Sequence, residues 1–249
     1  MKMNYCLSAI VVLFAASTGL LQAQMPGATG APLNAAMVKL FGKHTNFTAT
    51  TEMRVLDGAK AETMSTILTL AMLDGKMRAE TDMSKMKTKM LTPALITQMK
   101  DMGADRTIFI SRPDKKVTYL AYPGLNIYVE LALSAAEVEA SGKDAKLAKT
   151  VLGKETVDGH PCEKVKVVVT DEQGQTQEAI VWNATDFQNF PIQMETTEKG
   201  STIVMKYTNV RLTKPDAKQF EPPVGATRYT SMEQLQQAMM QRMLEKASK

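Results

Sequence analysis

Histidine, cysteine and tryptophan are scarce in this 249-residue chain, which has two histidines, two cysteines and one tryptophan. Catalytic and metal-binding sites usually need several such side chains close together. No serine-hydrolase elbow, phosphate-binding loop or zinc-protease motif occurs either. The sequence therefore predicts no catalytic residues, no metal site and no cofactor, and a protein that is not an enzyme.

One imidazole and one thiol do lie close in sequence, in His160-Pro161-Cys162. In an extended segment both side chains would point the same way, which could suit a thiolate pair. Gly159 and Pro161 instead favour a turn into a strand, with Cys162 as a small buried residue at the start of that strand. We expect the second arrangement.

Strong charge of one sign is absent as well, because 30 basic residues face 26 acidic ones and give a formal net charge of +4. The two signs are interspersed along the chain. Nucleic-acid binding usually requires a basic cluster or stripe. The sequence therefore predicts no nucleic-acid partner.

The long apolar run of the chain lies at its start, over residues 6–21, after Lys2. Leu21-Gln22-Ala23 ends with a small residue, as signal-peptidase sites do. We expect residues 1–23 to be a cleaved signal peptide, which places the protein in the periplasm. No cysteine stands near the cleavage point, so the protein is not expected to be a lipoprotein itself, and loss of Cys6 would leave Cys162 without a disulfide partner.

The remaining chain divides into three segments. Residues 24–46 are predicted as a flexible leader with a short helix around 35–42, residues 47–225 as one β domain, and residues 226–249 as an amphipathic helix. Ser231 and Gln234 form a capping box for that last helix. Its apolar stripe predicts a lid, a partner-binding helix or a helix docked on the core, and consists of Met232, Leu235, Met239 and Met243.

From Phe47 onward, apolar residues recur at every second position and short turns separate the runs. This pattern is typical of antiparallel strands with one apolar face. About ten strands are expected, with helices over 93–102 and 134–152. A sheet of that size twists and bends, so the sequence predicts a mainly β (α+β) fold: a strongly curved antiparallel sheet, an unclosed half-barrel, with helices covering the concave side.

Methionine is abundant, with 19 residues against seven phenylalanines and six tyrosines. Its flexible, polarizable side chain lets an apolar surface adapt to ligands of different shape. Plain core filling is the alternative explanation. We expect the apolar strand face to line a ligand cavity, formed by Phe47, Met53, Met64, Leu68, Leu70, Met72, Met77, Met83, Met194 and Met205.

The octapeptide MSKMKTKM, Met83 to Met90, sets three methionines among three lysines. Thioethers can select Cu(I), but the lysines would repel a cation and no histidine or cysteine stands nearby. A cavity wall or ordinary core packing suits the segment better, with Cu(I) binding kept as an alternative.

Three stretches carry a resemblance to a known family: LGKETVDGHPCEKVKVVV from Leu152, VWNATDFQNFPIQME from Val181, and RPDKKVTYLAYPGLNIYVEL from Arg112. Over residues 47–221 the chain resembles the LolA-like and LppX-like group of bacterial envelope proteins, which includes periplasmic lipoprotein carriers and the sensory domain of RseB. The resemblance implies an unclosed, curved antiparallel sheet that holds acyl chains or a lipidated protein in its hollow. It assigns no functional role to a particular residue here.

These expectations give one leading hypothesis and two alternatives. The leading hypothesis is a monomeric periplasmic carrier that binds lipid acyl chains or a lipidated protein in an apolar cavity, without catalysis. The first alternative is an envelope-stress or lipid-sensing regulatory domain, RseB-like, with an envelope protein as its partner. The second is a methionine-based Cu(I)-binding protein.

Overall fold

Alternating apolar residues form long strands in the computed structural model, which describes residues 38–134, 137–138, 146–170, 176–198 and 200–247. All of them belong to one compact unit, Ala35–Lys249. The expected signal peptide and most of the leader lie outside the described residues. The part of the predicted short helix that the structure describes begins at residue 38 and contains a 3-10 turn over Lys39–Phe41.

The described residues contain thirteen strands and two α-helices rather than the ten strands predicted. The strands are β1 (Asn46–Leu56), β2 (Glu62–Leu73), β3 (Lys76–Asp82), β4 (Lys87–Thr88), β5 (Arg106–Arg112), β6 (Val117–Tyr122), β7 (Ile127–Ala132), β8 (Lys146–Val157), β9 (His160–Thr170), β10 (Thr176–Ala184), β11 (Phe190–Glu198), β12 (Ser201–Arg211) and β13 (Thr227–Tyr229). The helices are α1 (Pro93–Met102) and α2 (Met232–Ala247).

The strands form one sheet, in the order β13-β7-β6-β5-β3-β2-β1-β12-β11-β10-β9-β8, with the short β4 paired to β2. Every pairing is antiparallel except that of β13 with β7. Within the described residues the two ends of this order do not pair, so the sheet is open. The predicted mainly β, antiparallel and unclosed sheet is therefore confirmed.

Local sequence explains the turns and the first helix. Asp74 and Gly75, both with positive φ, make the tight turn between β2 and β3. Thr92 caps α1 by accepting a hydrogen bond from the Leu95 amide, and Gly103 ends the helix in the left-handed conformation. A Cβ on Gly103 would lie 2.6 Å from the Gly124 carbonyl oxygen, so the end of α1 touches the β6–β7 turn only because both residues lack side chains.

Two predictions about local structure are wrong. Residues 146–152 were expected to be helical but form the first part of β8, which pairs with β9 from Lys146↔Thr170 onward. Met83 was expected to continue a strand, but β3 ends at Asp82, whose carboxylate accepts a hydrogen bond from the Ser84 amide and starts a 3-10 turn over Met83–Lys85.

The segment after β12 returns across the sheet and covers part of one face. Phe220 is fully buried there against Ile108, Ile110 and Tyr119. Arg112 holds the segment in place, since its guanidinium donates to the Phe220 carbonyl oxygen at 3.1 Å and forms two bonds of 2.8 Å to the Asp114 carboxylate. We call this the outer face.

Candidate binding face

The opposite face, here the inner face, is built by alternation along the strands. On β1, Phe47, Ala49, Thr51 and Met53 are buried, and the residues between them are half-buried or exposed. Antiparallel pairing places residues of neighbouring strands side by side on the same face. The inner face is therefore a set of rows that run across the sheet.

One row consists mainly of methionines. Met53 on β1 pairs with Met205 on β12, and Met205 pairs with Met194 on β11. The row continues through Val181 on β10 to Val165 on β9. All five side chains are buried, so a stripe of thioethers and methyl groups extends over five neighbouring strands.

A second row crosses the other strands. Phe47 pairs with Met72, and Met72 pairs with Met77 on β3. Leu70, two residues before Met72, is fully buried on the same face between Ala49 and Ala79. Methionines from both the early and the late strands thus share one surface.

Aromatic rings converge at one end of the inner face. Phe47 and Phe190 lie on strands separated by β12, and two strand spacings amount to about 9.5 Å. Their ring centroids are nevertheless only 5.1 Å apart. The ring centroid of Phe41, in the 3-10 turn before β1, lies 4.8 Å from that of Phe47 and 5.3 Å from that of Tyr207. Such convergence is typical of the concave side of a curved sheet.

Tyr207 brings a polar group into this apolar environment. Burial raises the pKa of its phenol well above the ordinary value. The hydroxyl lies 3.5 Å from the Met205 sulfur and 3.7 Å from the Met194 sulfur, both weak acceptors. Tyr207 is therefore neutral and only weakly hydrogen-bonded.

Most residues predicted for the cavity do lie on the inner face. Eight of them are buried: Phe47, Met53, Leu68, Leu70, Met72, Met77, Met194 and Met205. Met64 is half-buried on the same face of β2 and pairs with Val55. Met83 is half-buried in the turn after β3, outside the rows.

Helix α2 covers another part of the inner face. Leu235 is 1% exposed and packs against Ile127 and Val129 of β7, while Met232 and Met239 pack around this contact. The Met243 side chain lies outside what the structure describes. Instead of standing apart from the sheet, the C-terminal segment joins it, since β13 pairs with β7 directly before the helix.

The octapeptide methionines do not share one environment. Met86 is 6% exposed, whereas Met90 is 44% exposed and Met83 is intermediate. Lys85, Lys87 and Lys89 are exposed beside them. The buried thioether of the segment is thus Met86, which sequence reasoning left out of the cavity set.

The predicted cavity set also leaves out the valines and the threonines of the inner face. Val165, Val167 and Val169 alternate in β9 and are all buried, a pattern visible in the sequence. Thr51 and Thr66 are 1% and 2% exposed. Only the strand register shows that they lie beside Tyr207 and Met53.

The imidazole of His160 and the thiol of Cys162 have different hydrogen-bond partners. His160 Nδ1 lies 3.0 Å from an Asp186 carboxylate oxygen, and the Cys162 thiol donates to the His160 carbonyl oxygen. Burial raises the pKa of the Cys162 thiol. Among the described residues, no group of three or more His, Cys, Asp or Glu side chains is placed to hold a metal ion.

A family model described as a domain of unknown function, DUF4412, matches residues 60–189. The chain belongs to this family. The matched range begins just before β2 and ends just before β11. It therefore includes Met72 and Met77 of the second row but leaves out Phe47, β12 and α2. A search of curated proteins finds no significant match.

Solved structures similar to this chain include a LolA superfamily protein from Nitrosomonas europaea, with 8% identity, a TM-score of 0.38 and coverage of 75% of this chain and 94% of that one. Another is the lipoprotein LppX of Mycobacterium tuberculosis, at 10% identity and TM-score 0.38, covering 71% and 92%. A third is LprF from Mycobacterium bovis, at 14% identity and TM-score 0.35, covering 73% and 96%. They include members of the group that the sequence resembles. With each TM-score below 0.5, nothing about ligand or partner follows from the likeness.

Within the described part of the chain, neither helix is long and apolar enough to cross a membrane.

Proposed function

We propose that this protein is a non-catalytic binding protein of the bacterial envelope, which holds the acyl chains of a lipid or lipidated protein against its inner face. The observation that carries the proposal is the pair of methionine rows, Met53–Met205–Met194 and Phe47–Met72–Met77, on one face of an open sheet. Location in the envelope follows from the expected signal peptide.

Methionine suits an adaptable binding surface better than it suits a rigid core. A core that must pack in one defined arrangement favours branched and aromatic side chains with few rotamers. Methionine has three flexible bonds and a polarizable sulfur, so it can rearrange around acyl chains of different length. A surface lined in this way can accept several lipids without a specific contact to each.

Helix α2 is the lid of this binding face in our proposal. It contacts the sheet mainly through Leu235, against Ile127 and Val129, and its Arg242 guanidinium donates to the Leu125 carbonyl oxygen. On its outward side Met240 and Leu244 are 42% and 47% exposed. A helix whose described contacts with the sheet centre on Leu235 can detach at moderate cost and uncover the part of the inner face over β7.

Native mass spectrometry of the protein purified from the cell envelope tests the proposal. We expect co-purifying acyl species, together with binding of the hydrocarbon dye diphenylhexatriene and its displacement by palmitate. A ligand-free mass combined with no dye binding would contradict an acyl-binding function.

A pair of leucine variants tests the lid. Leu235→Ala removes the buried anchor of α2, so dye should bind and dissociate faster than in the wild type. Leu244→Ala, on the exposed side of the same helix, is the matched control and should leave both rates unchanged. Equal rates in the Leu235 variant and the wild type would mean that α2 does not gate the face.

A further inference from the structure

We propose that the inner face contains a polar subsite, formed by the hydroxyl groups of Thr51, Thr66 and Tyr207, which binds the ester group of a neutral acyl lipid. This inference rests on the proposed function and specifies the ligand of the same face.

Strand register brings the three hydroxyls together. Thr51 on β1 pairs directly with Tyr207 on β12 and, on its other side, with Leu68 on β2. Thr66 lies two residues from Leu68, on the same face of β2, and pairs with Met53. It is therefore the diagonal neighbour of Thr51, about 7–8 Å away.

The two threonine hydroxyls lack hydrogen-bond partners. Among the described residues, three buried side-chain oxygen or nitrogen atoms have none, and two of these are Thr51 Oγ1 and Thr66 Oγ1. Thr202, a buried threonine that pairs with Leu56 on the other face, does have a partner, because its hydroxyl accepts a hydrogen bond of 2.9 Å from Lys60 Nζ. Leaving a buried hydroxyl unpaired destabilises a fold. Two such hydroxyls, on neighbouring strands of a candidate binding face, can both donate to a polar group of a ligand.

Tyr207 can join them at little cost. Its hydroxyl contacts only the sulfurs of Met205 and Met194. Thioether sulfur is a weak acceptor, so a ligand oxygen would replace these contacts with a stronger hydrogen bond. Tyr207, the cross-strand partner of Thr51, would then supply a third donor beside the two threonine hydroxyls.

The surroundings select a neutral acceptor. The cross-strand neighbours of Thr51 and Thr66 on this face are Tyr207, Leu68 and Met53, none of which carries charge. A buried carboxylate or phosphate without a counter-charge is strongly unfavourable. An ester carbonyl is uncharged and accepts two hydrogen bonds, and its acyl chain can lie along the methionine rows.

Thr51→Val and Thr66→Val test the subsite, because valine keeps the shape of threonine and removes the hydroxyl. Displacement of bound diphenylhexatriene is measured with methyl palmitate and with octadecane, which has a similar chain length but no ester. The wild type should prefer the ester, and each variant should lose about 2- to 10-fold in ester affinity, as expected for one hydrogen bond. Octadecane affinity should not change.

Two controls accompany these variants. Thr69→Val changes an exposed threonine on the other face of β2 and should bind both probes as the wild type does. Thr51→Ser restores a hydroxyl and should keep the ester preference. Without ligand, the valine variants should melt at or above the wild-type temperature, because they remove an unpaired buried group.

The outcomes separate this inference from the proposed function. If the dye and both probes bind but the valine variants keep the wild-type ester affinity, or melt at a lower temperature, the subsite is wrong and the acyl-binding function stands. If neither probe displaces dye from the wild type, the proposed function itself fails. The mass of the co-purified ligand distinguishes a free acyl ester from a lipidated polypeptide.

Discussion

Strands near the two edges of the sheet are buried differently. In the region formed by β5, β6 and β7, consecutive residues such as Ile108, Phe109 and Ile110 are all buried. In β9, at the other end of the sheet, only alternate residues are buried, as Val165 and Val167 show. Antiparallel strands covered on one face alternate in this way, whereas strands covered on both faces carry continuous apolar runs.

The cover of the outer face explains this difference. The Phe220 segment lies on β5 and β6, held there by Arg112. The β8–β9 edge has no such cover among the described residues, and Lys164, Lys166 and Val168, on the outer face of β9, are only half-buried. The Phe220 segment therefore adds a second buried layer to β5 and β6, whereas β9 is buried on the inner face alone.

Phe220→Ala should destabilise the region formed by β5, β6 and β7, where residues on both faces are buried. Removing a fully buried ring from the Ile108, Ile110 and Tyr119 cluster should lower the free energy of unfolding by about 3–5 kcal/mol. Val224→Ala, in a fully exposed position nearby in sequence, is the control and should stay within about 0.5 kcal/mol of the wild type. Urea unfolding measures both. A loss below about 1 kcal/mol for Phe220→Ala would mean that the segment adds little to the sheet.

The sequence predicted much of this fold because its local signals agree. The alternation in β1 to β3, the turn at Asp74-Gly75 and the Thr92 and Gly103 ends of α1 each follow from one short stretch. The inner-face methionines were found for the same reason, since period-two alternation fixes which residues share a face.

Long-range pairing explains the failures. KLAKTVL, from Lys146, is rich in residues that favour helices, yet pairing with β9 makes it a strand; tertiary contacts often override propensity in this way. The strand β13 is three residues long and pairs with β7 in parallel, which no local pattern indicates. The Thr51–Thr66–Tyr207 group was missed because it exists only through the register of three strands.

A matched pair of substitutions tests the β8–β9 edge, where β9 is buried on one face only. Val151 and Val165 pair across β8 and β9, but Val151 is 61% exposed and Val165 is 4% exposed. Val165→Thr should cost about 1–3 kcal/mol in unfolding free energy because it buries a new hydroxyl, whereas Val151→Thr should stay within about 0.5 kcal/mol. Chemical denaturation measures both, and equal losses would show that β8 is as well covered as β9.

Acid should destabilise the region formed by β5, β6 and β7 by weakening the ion pairs of Arg112 with Asp114 and Glu221. Hydrogen bonding to Arg112 lowers the pKa of Asp114 below its ordinary 3.8, and Lys115, followed by Arg112, lowers that of Glu221 below 4.5. Both carboxylates then bind protons more readily in the unfolded chain, so their stabilisation is fully present above about pH 5 and is lost as the pH falls through the lowered pKa values. The effect is modest because both side chains are nearly half exposed.

Asp114→Asn should therefore flatten the loss of stability between about pH 5 and pH 2, as measured by urea unfolding at a series of pH values. Asp105→Asn is a suitable control, because Asp105 precedes β5 and Arg112 ends it, so the residues lie about 23 Å apart along an extended strand. That variant should keep the wild-type acid dependence. If Asp114→Asn also keeps the wild-type acid dependence, the Arg112 ion pairs do not couple proton binding to the docking of the Phe220 segment. Hydrophobic burial alone would then hold that segment on the outer face.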